Sequence, residues 1–152
     1  MDAVVSFMAT TANFYMSDSY SHRRVVITGM GVVSPLGNAP ETLWNNLLEG
    51  QCGIDTIKAF DVSDYACQIA GEVLDLDPVE AFPSPKEIRR TDRYAQFGIY
   101  AGYQALKNSG LDLEKTNLDE VGAFIGSGIG GLSTLEKQHT ILTAKGPSRV
   151  SP

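Results

Sequence analysis

Short apolar runs alternate along the chain with longer stretches in which apolar residues recur at helical spacing. The first run, VVIT at residues 25–28, is rich in β-branched residues, which favours a strand covered on both faces. Residues 38–50 then predict a short amphipathic helix, with Pro40 in its first turn and Gly50 at its C-terminus. The apolar stripe of this helix consists of Leu43, Trp44, Leu47 and Leu48.

A less regular segment follows at residues 51–83, where glycine, aspartate and proline are mixed with short β-prone pieces. This mixture predicts a loop-rich segment with one or two short strands, for example within residues 67–73. A helical turn is expected over residues 77–82.

The strongest helical pattern covers residues 91–111. Thr91 is a candidate N-cap, and Gly110, followed by an apolar residue, matches a glycine C-cap. Little of the helix circumference is polar, so we expect the helix to be largely buried. Gly98 and Gly102 lie about one turn apart, which indicates a closely approaching neighbour because each glycine costs about 1 kcal/mol in a helix.

The last part of the chain repeats the alternation. Residues 120–128 predict a strand that runs into a glycine turn, and residues 131–146 predict a helix that ends at Gly146 and Pro147. The order β-α followed by α-β-α indicates an α/β layered fold.

Length and composition indicate one globular domain or a piece of a larger one. The chain has 152 residues, of which 43% are hydrophobic and 20% are charged, and a domain commonly takes about 100–200 residues. Its net charge of −6 argues against a nucleic-acid partner, since phosphate binding needs a surplus of Lys and Arg. A basic cluster on this acidic background would therefore be informative.

Residues 1–22 contain acidic residues but no arginine, and they are rich in Ser, Thr, Tyr and Met. A transit peptide would be Arg-rich, and a signal peptide would carry a basic start followed by an apolar run. We therefore expect a disordered stretch or a start-site artefact, with Met16 as the true start. No apolar run approaches the roughly 20 residues of a membrane helix, so a cytoplasmic protein without membrane contact is expected.

The glycine-rich stretch after the first apolar run does not fit a phosphate-binding loop. Gly29 and Gly31 match the first two positions of G-x-G-x-x-G, but Ser34 stands at the third. The next helix begins only at Pro40, so no helix N-terminus would face a pyrophosphate.

A second glycine stretch, GSGIGG at residues 126–131, matches the dinucleotide fingerprint and lies between a predicted strand and a predicted helix. The acidic residue that would bind the ribose hydroxyls about 20 positions later is missing. A small dinucleotide-binding module stays an alternative, while glycines that permit close backbone approach are the favoured interpretation.

Cysteine and histidine positions assign no chemistry. Cys52 and Cys67 form neither a CxxC pair nor a metal-ligand spacing, and we expect two reduced, inert thiols. His22 and His139 lie far apart and away from cysteine or carboxylate clusters. A Cys–His nucleophile pair stays open, although no spacing supports one. The residues alone therefore indicate no catalytic group, metal or cofactor.

Five sequence blocks stand out between residues 23 and 152. They are RRVVITGMGVVSPLGN, TLWNNLLEGQCGI, DRYAQFGIYAGYQAL, GAFIGSGIGGL and GPSRVSP. In order and spacing they resemble the N-terminal part of the elongating β-ketoacyl-acyl-carrier-protein synthases, type II condensing enzymes of the thiolase-like superfamily. The resemblance implies a thiolase-like αβαβα layered fold, of which this chain would be the N-terminal portion. It makes residues 25–28 a core strand and implies no nucleotide.

The resemblance implies an acyltransferase of fatty acid biosynthesis, usually a homodimer. Such an enzyme takes an acyl chain from an acyl carrier protein onto a cysteine and condenses it with malonyl on the same kind of carrier, losing carbon dioxide. The family's nucleophilic cysteine and two catalytic histidines would lie beyond residue 152, and none of Cys52, Cys67, His22 and His139 falls on those positions. We therefore expect a fragment, from a truncated gene or a partial read, that is inactive in condensation by itself.

Two sites are carried over by the resemblance. Ile129, in GSGIGG, matches the residue that lines and gates the family's acyl-chain pocket near the dimer interface; a plain core position is its alternative. Lys86, Arg89 and Arg90 in SPKEIRR match the basic patch that docks the acidic carrier protein, and Arg149 in GPSRVSP matches a second part of it. These cations fit electrostatic capture of an acidic partner, and a solvated helix face explains the first three equally well.

Three alternatives remain beside a condensing enzyme. The chain could belong to a catalytically silent ketosynthase-like protein or to a polyketide-type partner. It could be the dinucleotide module built on residues 126–131. It could also be a noncatalytic protein that only docks a carrier protein through its basic residues.

Overall fold

The computed structural model describes residues 24–151. The extension over residues 1–22, with its candidate start at Met16, and also His22 and the terminal Pro152, lie outside the described residues. The helices in the described part are α1 (Pro40–Leu48), α2 (Pro85–Arg90), α3 (Arg93–Ser109) and α4 (Leu132–Lys145). Single 3₁₀ turns occur at Val79–Ala81, Leu118–Glu120 and Pro147–Arg149.

Helix α1 forms where its periodicity predicts it. Pro40 occupies the first helical turn, where its missing N–H needs no partner, and Gly50 has a φ of 69° just after the last turn, a conformation that suits glycine. The apolar stripe is not buried as a whole, because Trp44 is 62% exposed and Leu48 is 68% exposed.

The loop-rich segment contains one two-stranded antiparallel sheet. Strand β1 (Asp55–Thr56) pairs with β2 (Ile69–Ala70), with Asp55 opposite Ala70. The 3₁₀ turn at Val79–Ala81 follows. The predictions of one or two short strands and of a helical turn in this segment are therefore confirmed.

Helix α3 has the predicted extent but a different N-cap. Asp92, not Thr91, is the N-cap residue. Thr91 instead ends α2, and its hydroxyl donates to the carbonyl of Glu87 at 2.8 Å. Gly110 ends the helix in the left-handed conformation, with a φ of 67°, as predicted. The expectation of a largely buried helix is wrong: the fully buried positions of α3 are only Phe97, Gly98 and Ala101.

The core of the described residues is small and lies against the first half of α3. It consists of Val33, Leu76, Phe97 and Ala101. Arg93 closes one side of it. Its guanidinium donates to the carbonyls of Leu76, at 3.3 Å, and Val73, at 3.2 Å, and lies 5.0 Å from the centroid of the Phe97 ring. Arg93 therefore joins the chain before α2 to the start of α3.

We expect Arg93→Met to lower the free energy of unfolding by about 1–3 kcal/mol, since two backbone carbonyls lose a charged donor. Urea denaturation of the complete native protein measures this change. Arg89→Met is the matched control, because the exposed Arg89 side chain makes no hydrogen bond or ion pair within residues 24–151, and a surface substitution of this kind changes stability by about 0.5 kcal/mol or less. Equal losses in the two variants would contradict the role given to Arg93.

The glycine pair Gly29 and Gly31 provides the closest approach to α3. A Cβ atom at Gly29 would overlap the carbonyl oxygen of Ala105, and one at Gly31 would overlap that of Ala101. The backbone of this segment is also hydrogen-bonded to α3. The N–H groups of Met30 and Val32 donate to the side chains of Asn108, at 3.1 Å, and Gln104, at 3.2 Å.

The close neighbour expected from the glycines of α3 is found at one position only. A Cβ atom at Gly98 would lie 3.6 Å from the side chain of Ile125, an ordinary contact, while Gly102 faces open space. The expectation is therefore wrong for Gly102. The positions that need glycine are Gly29 and Gly31, in the segment that lies on α3. Both face helix backbone, which cannot move aside.

The predictions of two longer strands, at residues 25–28 and 120–128, are wrong for the described part of the chain. Neither segment is paired with another strand within residues 24–151. Val25 is 73% exposed and Phe124 is 85% exposed. Their apolar composition is that of buried strands, but a strand needs backbone partners on a neighbouring segment. The described residues thus form a mixed arrangement of helices and one small sheet.

None of the helices between residues 24 and 151 is both long enough and apolar enough to span a lipid bilayer.

Candidate functional site

Helix α2 places three basic side chains on one short element. Ser84 is its extended N-cap residue and Pro85 occupies its first turn, so a proline that fixes φ starts the helix locally. Arg89 and Arg90 lie in the last turn, where the negative end of the helix dipole favours cations. Lys86 lies one turn before Arg90.

The cations of α2 are exposed and carry no ion pair within the described residues. Lys86, Arg89 and Arg90 are all exposed. The ion pairs among residues 24–151 involve other lysines, namely Lys58, Lys107 and Lys115. Their exposure agrees with the solvated-face interpretation and equally provides free cations for an acidic partner.

The C-terminal end of α2 is held firmly on α3. The Gln96 side-chain amide donates to the carbonyls of Ile88 and Thr91, each at 2.9 Å. The backbone N–H of Gln96 in turn donates to the carbonyl of Asp92. The C-terminal end of this six-residue helix is therefore hydrogen-bonded to the first turn of α3.

Arg149 lies on a different part of the chain from α2. It ends the 3₁₀ turn at Pro147–Arg149, which follows α4 after Gly146, a glycine with a positive φ of 81°. The two parts of the predicted basic patch therefore lie on different elements, α2 and the 3₁₀ turn after α4.

Lys145 is a basic residue that the sequence reasoning missed. It lines a shallow depression together with Arg149 and Ile141. The spacing in the sequence could have indicated this residue. Lys145 lies four positions before Arg149, a distance at which side chains near the end of a helix can be neighbours. Lys145 and Arg149 are therefore two cations beside one depression.

Ile129 lies in a glycine loop (residues 126–131) between an extended segment and α4. It is 74% exposed among the described residues, so none of them buries it. Gly130 adopts a φ of 81°, and its N–H donates to the Ser127 hydroxyl at 3.1 Å. The tight turn leaves the Ile129 side chain on the surface of the described residues.

The N-terminus of α4 is already occupied by a carboxylate. Asp92 accepts a hydrogen bond from the Thr134 hydroxyl at 2.7 Å, and a Cβ atom at Gly131 would overlap its other carboxylate oxygen. A dinucleotide phosphate would have to take this same place beside the helix N-terminus and would be repelled by the carboxylate. The geometry therefore disfavours the dinucleotide module.

An open apolar cleft of about 860 Å³ lies between the segment before α1 and the small sheet. Its walls include Val33, Leu36, Leu43, Ile54, Ile69 and Phe97. Cys52 also lines it, but Ile129 and the basic residues of α2 do not. The cleft is thus separate from the candidate site residues.

The remaining candidate groups do not form a reactive cluster in residues 24–151. Cys52 and Cys67 are both exposed free thiols. No group of three or more His, Cys, Asp and Glu side chains in this part could hold a metal ion. His139 is exposed on α4.

Among residues 24–151, the groups with a lowered pKa are surface aspartates. The pKa of Asp112 lies below its ordinary value because the Lys115 side chain donates a hydrogen bond to it. The pKa of Asp55 is lowered in the same way by Lys58, and that of Asp61 by hydrogen bonds from Ser63. Lys58 and Lys115 therefore have local acidic partners, unlike the cations of α2.

A comparison of the sequence with models of protein families shows which family the chain belongs to. A family model described as the N-terminal domain of β-ketoacyl synthase matches residues 22–152. The chain belongs to the β-ketoacyl synthase family. The predicted resemblance to condensing enzymes is thereby confirmed.

Curated relatives in this family share about half of their aligned residues with the chain. The 3-oxoacyl-[acyl-carrier-protein] synthase 2 of Vibrio harveyi is 50% identical over 132 residues, which cover 87% of this chain and 32% of that protein. The synthase 2 of Synechocystis sp. is 48% identical over 130 residues, 86% of this chain and 31% of that protein. The chain spans about a third of the length of these relatives.

Two solved structures resemble the fold over a similar share. The ishigamide ketosynthase/chain length factor has a TM-score of 0.67 and 27% identity, covering 87% of this chain and 33% of that chain. A type II polyketide synthase acyl-carrier protein in complex with its ketosynthase has a TM-score of 0.61 and 26% identity, covering 86% and 33%. The fold of this chain is therefore similar to that of part of a ketosynthase.

Proposed function

We propose that the native protein containing these residues is a 3-oxoacyl-[acyl-carrier-protein] synthase of fatty acid biosynthesis. The observation that carries the proposal is that α2 has three exposed cations without an ion pair among residues 24–151, in a chain with a net charge of −6. An acidic carrier protein is the partner that such a helix would attract. The names of the curated relatives agree with this function.

In this proposal α2 captures the carrier protein, and Lys145 with Arg149 forms a second contact. Gln96 keeps α2 in one orientation, so little ordering of the helix is needed when the partner binds. Charged pairs at the edge of an interface mainly raise the association rate and select the partner. Carrier binding should therefore weaken as salt is added.

Ile129 is proposed to face the acyl chain in the complete protein. A β-branched side chain with 74% of its surface exposed, on a loop with a fixed turn, can form an apolar wall once another part of the protein covers it. The bulk at position 129 would then limit which acyl chains enter. The homodimer and the five-layer fold belong to the same proposal.

The proposed reaction has two steps. A cysteine thiolate outside residues 1–152 takes the acyl group from the carrier thioester and releases the carrier thiol. Malonyl on a second carrier then loses carbon dioxide, and the enolate carbon attacks the acyl-cysteine thioester. The new carbon–carbon bond releases the cysteine thiolate, and the 3-oxoacyl product stays on the carrier.

The proposal is tested by mixing the complete native protein with acyl carrier and malonyl carrier. We expect one carbon dioxide for each 3-oxoacyl carrier, with the product two carbons longer than the starting acyl group. Carrier binding without any elongated product would contradict the enzyme and support the catalytically silent alternative.

The polyketide alternative is favoured by one observation, since both similar structures have names from ketosynthases outside the curated fatty acid relatives. Product analysis with repeated malonyl additions distinguishes it. A fatty acid synthase component stops after one addition unless the 3-oxo group is reduced, whereas a polyketide-type enzyme extends the unreduced product again.

A further inference from the structure

One hydrogen bond joins the glycine loop and α4 to the remainder of the described chain. Among the hydrogen bonds and ion pairs of residues 24–151, only the bond from Thr134 to Asp92 connects residues 122–151 with residues 24–121. Its length is 2.7 Å, and its partners are 42 positions apart in sequence. The Ile125 side chain also lies beside Gly98, and Tyr94 lies beside Gly130.

Asp92 lacks the usual local partner of an N-cap aspartate. Such a side chain normally accepts a hydrogen bond from a backbone N–H of its own helix, a contact worth about 1 kcal/mol. The Asp92 side chain makes no such bond in α3. It points to α4 instead, where it accepts from Thr134 and lies against the backbone of Gly131.

The position of Asp92 connects three elements. Thr91, the preceding residue, ends α2 through its bond to Glu87, and Asp92 itself begins α3. Its carboxylate reaches the first turn of α4, next to the loop that carries Ile129. The basic helix and the glycine loop are therefore linked through two consecutive residues.

We infer that Asp92 is a positioning residue that sets the place of the glycine loop, and hence of Ile129, relative to the basic helix. This inference rests on the proposed function, because it assigns to the loop the selection of acyl chains. The hydrogen bond from Thr134 holds the loop in one register. Without it, the loop shifts and Ile129 limits chain length differently.

The test compares Thr134→Val with Thr134→Ser in the complete native protein. Valine has nearly the same shape as threonine and removes the donor, whereas serine keeps the hydroxyl. Condensation is measured with a long and a short acyl carrier, and the ratio of the two kcat/KM values is the readout. We expect about a ten-fold change of this ratio in Thr134→Val, since a hydrogen bond to a charged group is worth about one factor of ten or more. Thr134→Ser should retain the native ratio.

Asp92→Asn provides a second check. The asparagine carbonyl still accepts from the Thr134 hydroxyl, so this variant should keep the native ratio, while Asp92→Ala should reproduce Thr134→Val. The dissociation constant for the carrier protein should stay constant in all four variants, because the cations of α2 are unchanged.

The outcomes separate the inference from the proposed function. A wild-type protein without condensation would overturn both. An active wild type whose Thr134→Val variant loses activity equally for long and short chains, or loses none, would overturn the inference alone. A changed ratio that serine restores would support it.

Discussion

Replacing Gly31 with alanine is expected to prevent the complete protein from accumulating in its folded form. The new Cβ atom would overlap the carbonyl oxygen of Ala101, a backbone atom in the middle of α3, so no side chain can move aside. Forcing this contact would cost about 3 kcal/mol or more, a large share of the about 5–15 kcal/mol that stabilises a typical domain. The measurement is the soluble yield, followed by the unfolding midpoint in urea.

Gly102→Ala is the matched control. Gly102 is a glycine of α3 itself, next in sequence to Ala101, but a Cβ atom there meets nothing within 4 Å. Alanine should therefore be neutral or should stabilise the helix by about 0.5–1 kcal/mol. Equal behaviour of the two variants would contradict the packing of the first segment on α3.

The double charge reversal Arg89→Glu with Arg90→Glu is expected to weaken carrier-protein binding by about 100-fold at low salt, because attraction to an acidic partner becomes repulsion. Isothermal titration or fluorescence anisotropy with the carrier protein measures the dissociation constant. The difference from wild type should shrink at high salt.

Lys58→Glu with Lys115→Glu changes the net charge by the same amount and is the control. Both lysines are exposed, and each already pairs with an aspartate three residues before it. Binding should be nearly unchanged in this variant. If the two double variants weaken binding equally, only net charge matters, and the docking role of α2 is wrong.

Features that depend on local chemistry could be predicted from the sequence. The extent of α3 follows from its periodicity, and its end follows from Gly110, whose left-handed conformation is a local property. The same holds for Pro40 at the start of α1. The family resemblance could also be recognised from the sequence, because it depends on short contiguous blocks of residues.

Features that depend on distant partners could not be predicted. The run at residues 25–28 has the composition of a strand, but pairing requires a neighbour that no periodicity identifies. Arg89 and Arg93 look alike in sequence and are both exposed, yet only Arg93 donates to two backbone carbonyls. The bond from Thr134 to Asp92 spans 42 positions, and no spacing rule relates them.

Two sets of roles are proposals. They are carrier-protein docking by Lys86, Arg90 and Arg149, and lining of the acyl-chain pocket by Ile129. Their side chains are exposed, which permits contact with a partner or with another part of the protein. Their functional assignment came from the family resemblance, and binding and kinetic measurements on variants decide it.

The first half-reaction tests the central claim most directly. The complete native protein is incubated with acyl carrier protein and without malonyl carrier, and its intact mass is measured. The account predicts that the protein gains the mass of one acyl group as a thioester while the carrier gains a free thiol. An unchanged protein mass beside intact acyl carrier would contradict a condensing enzyme.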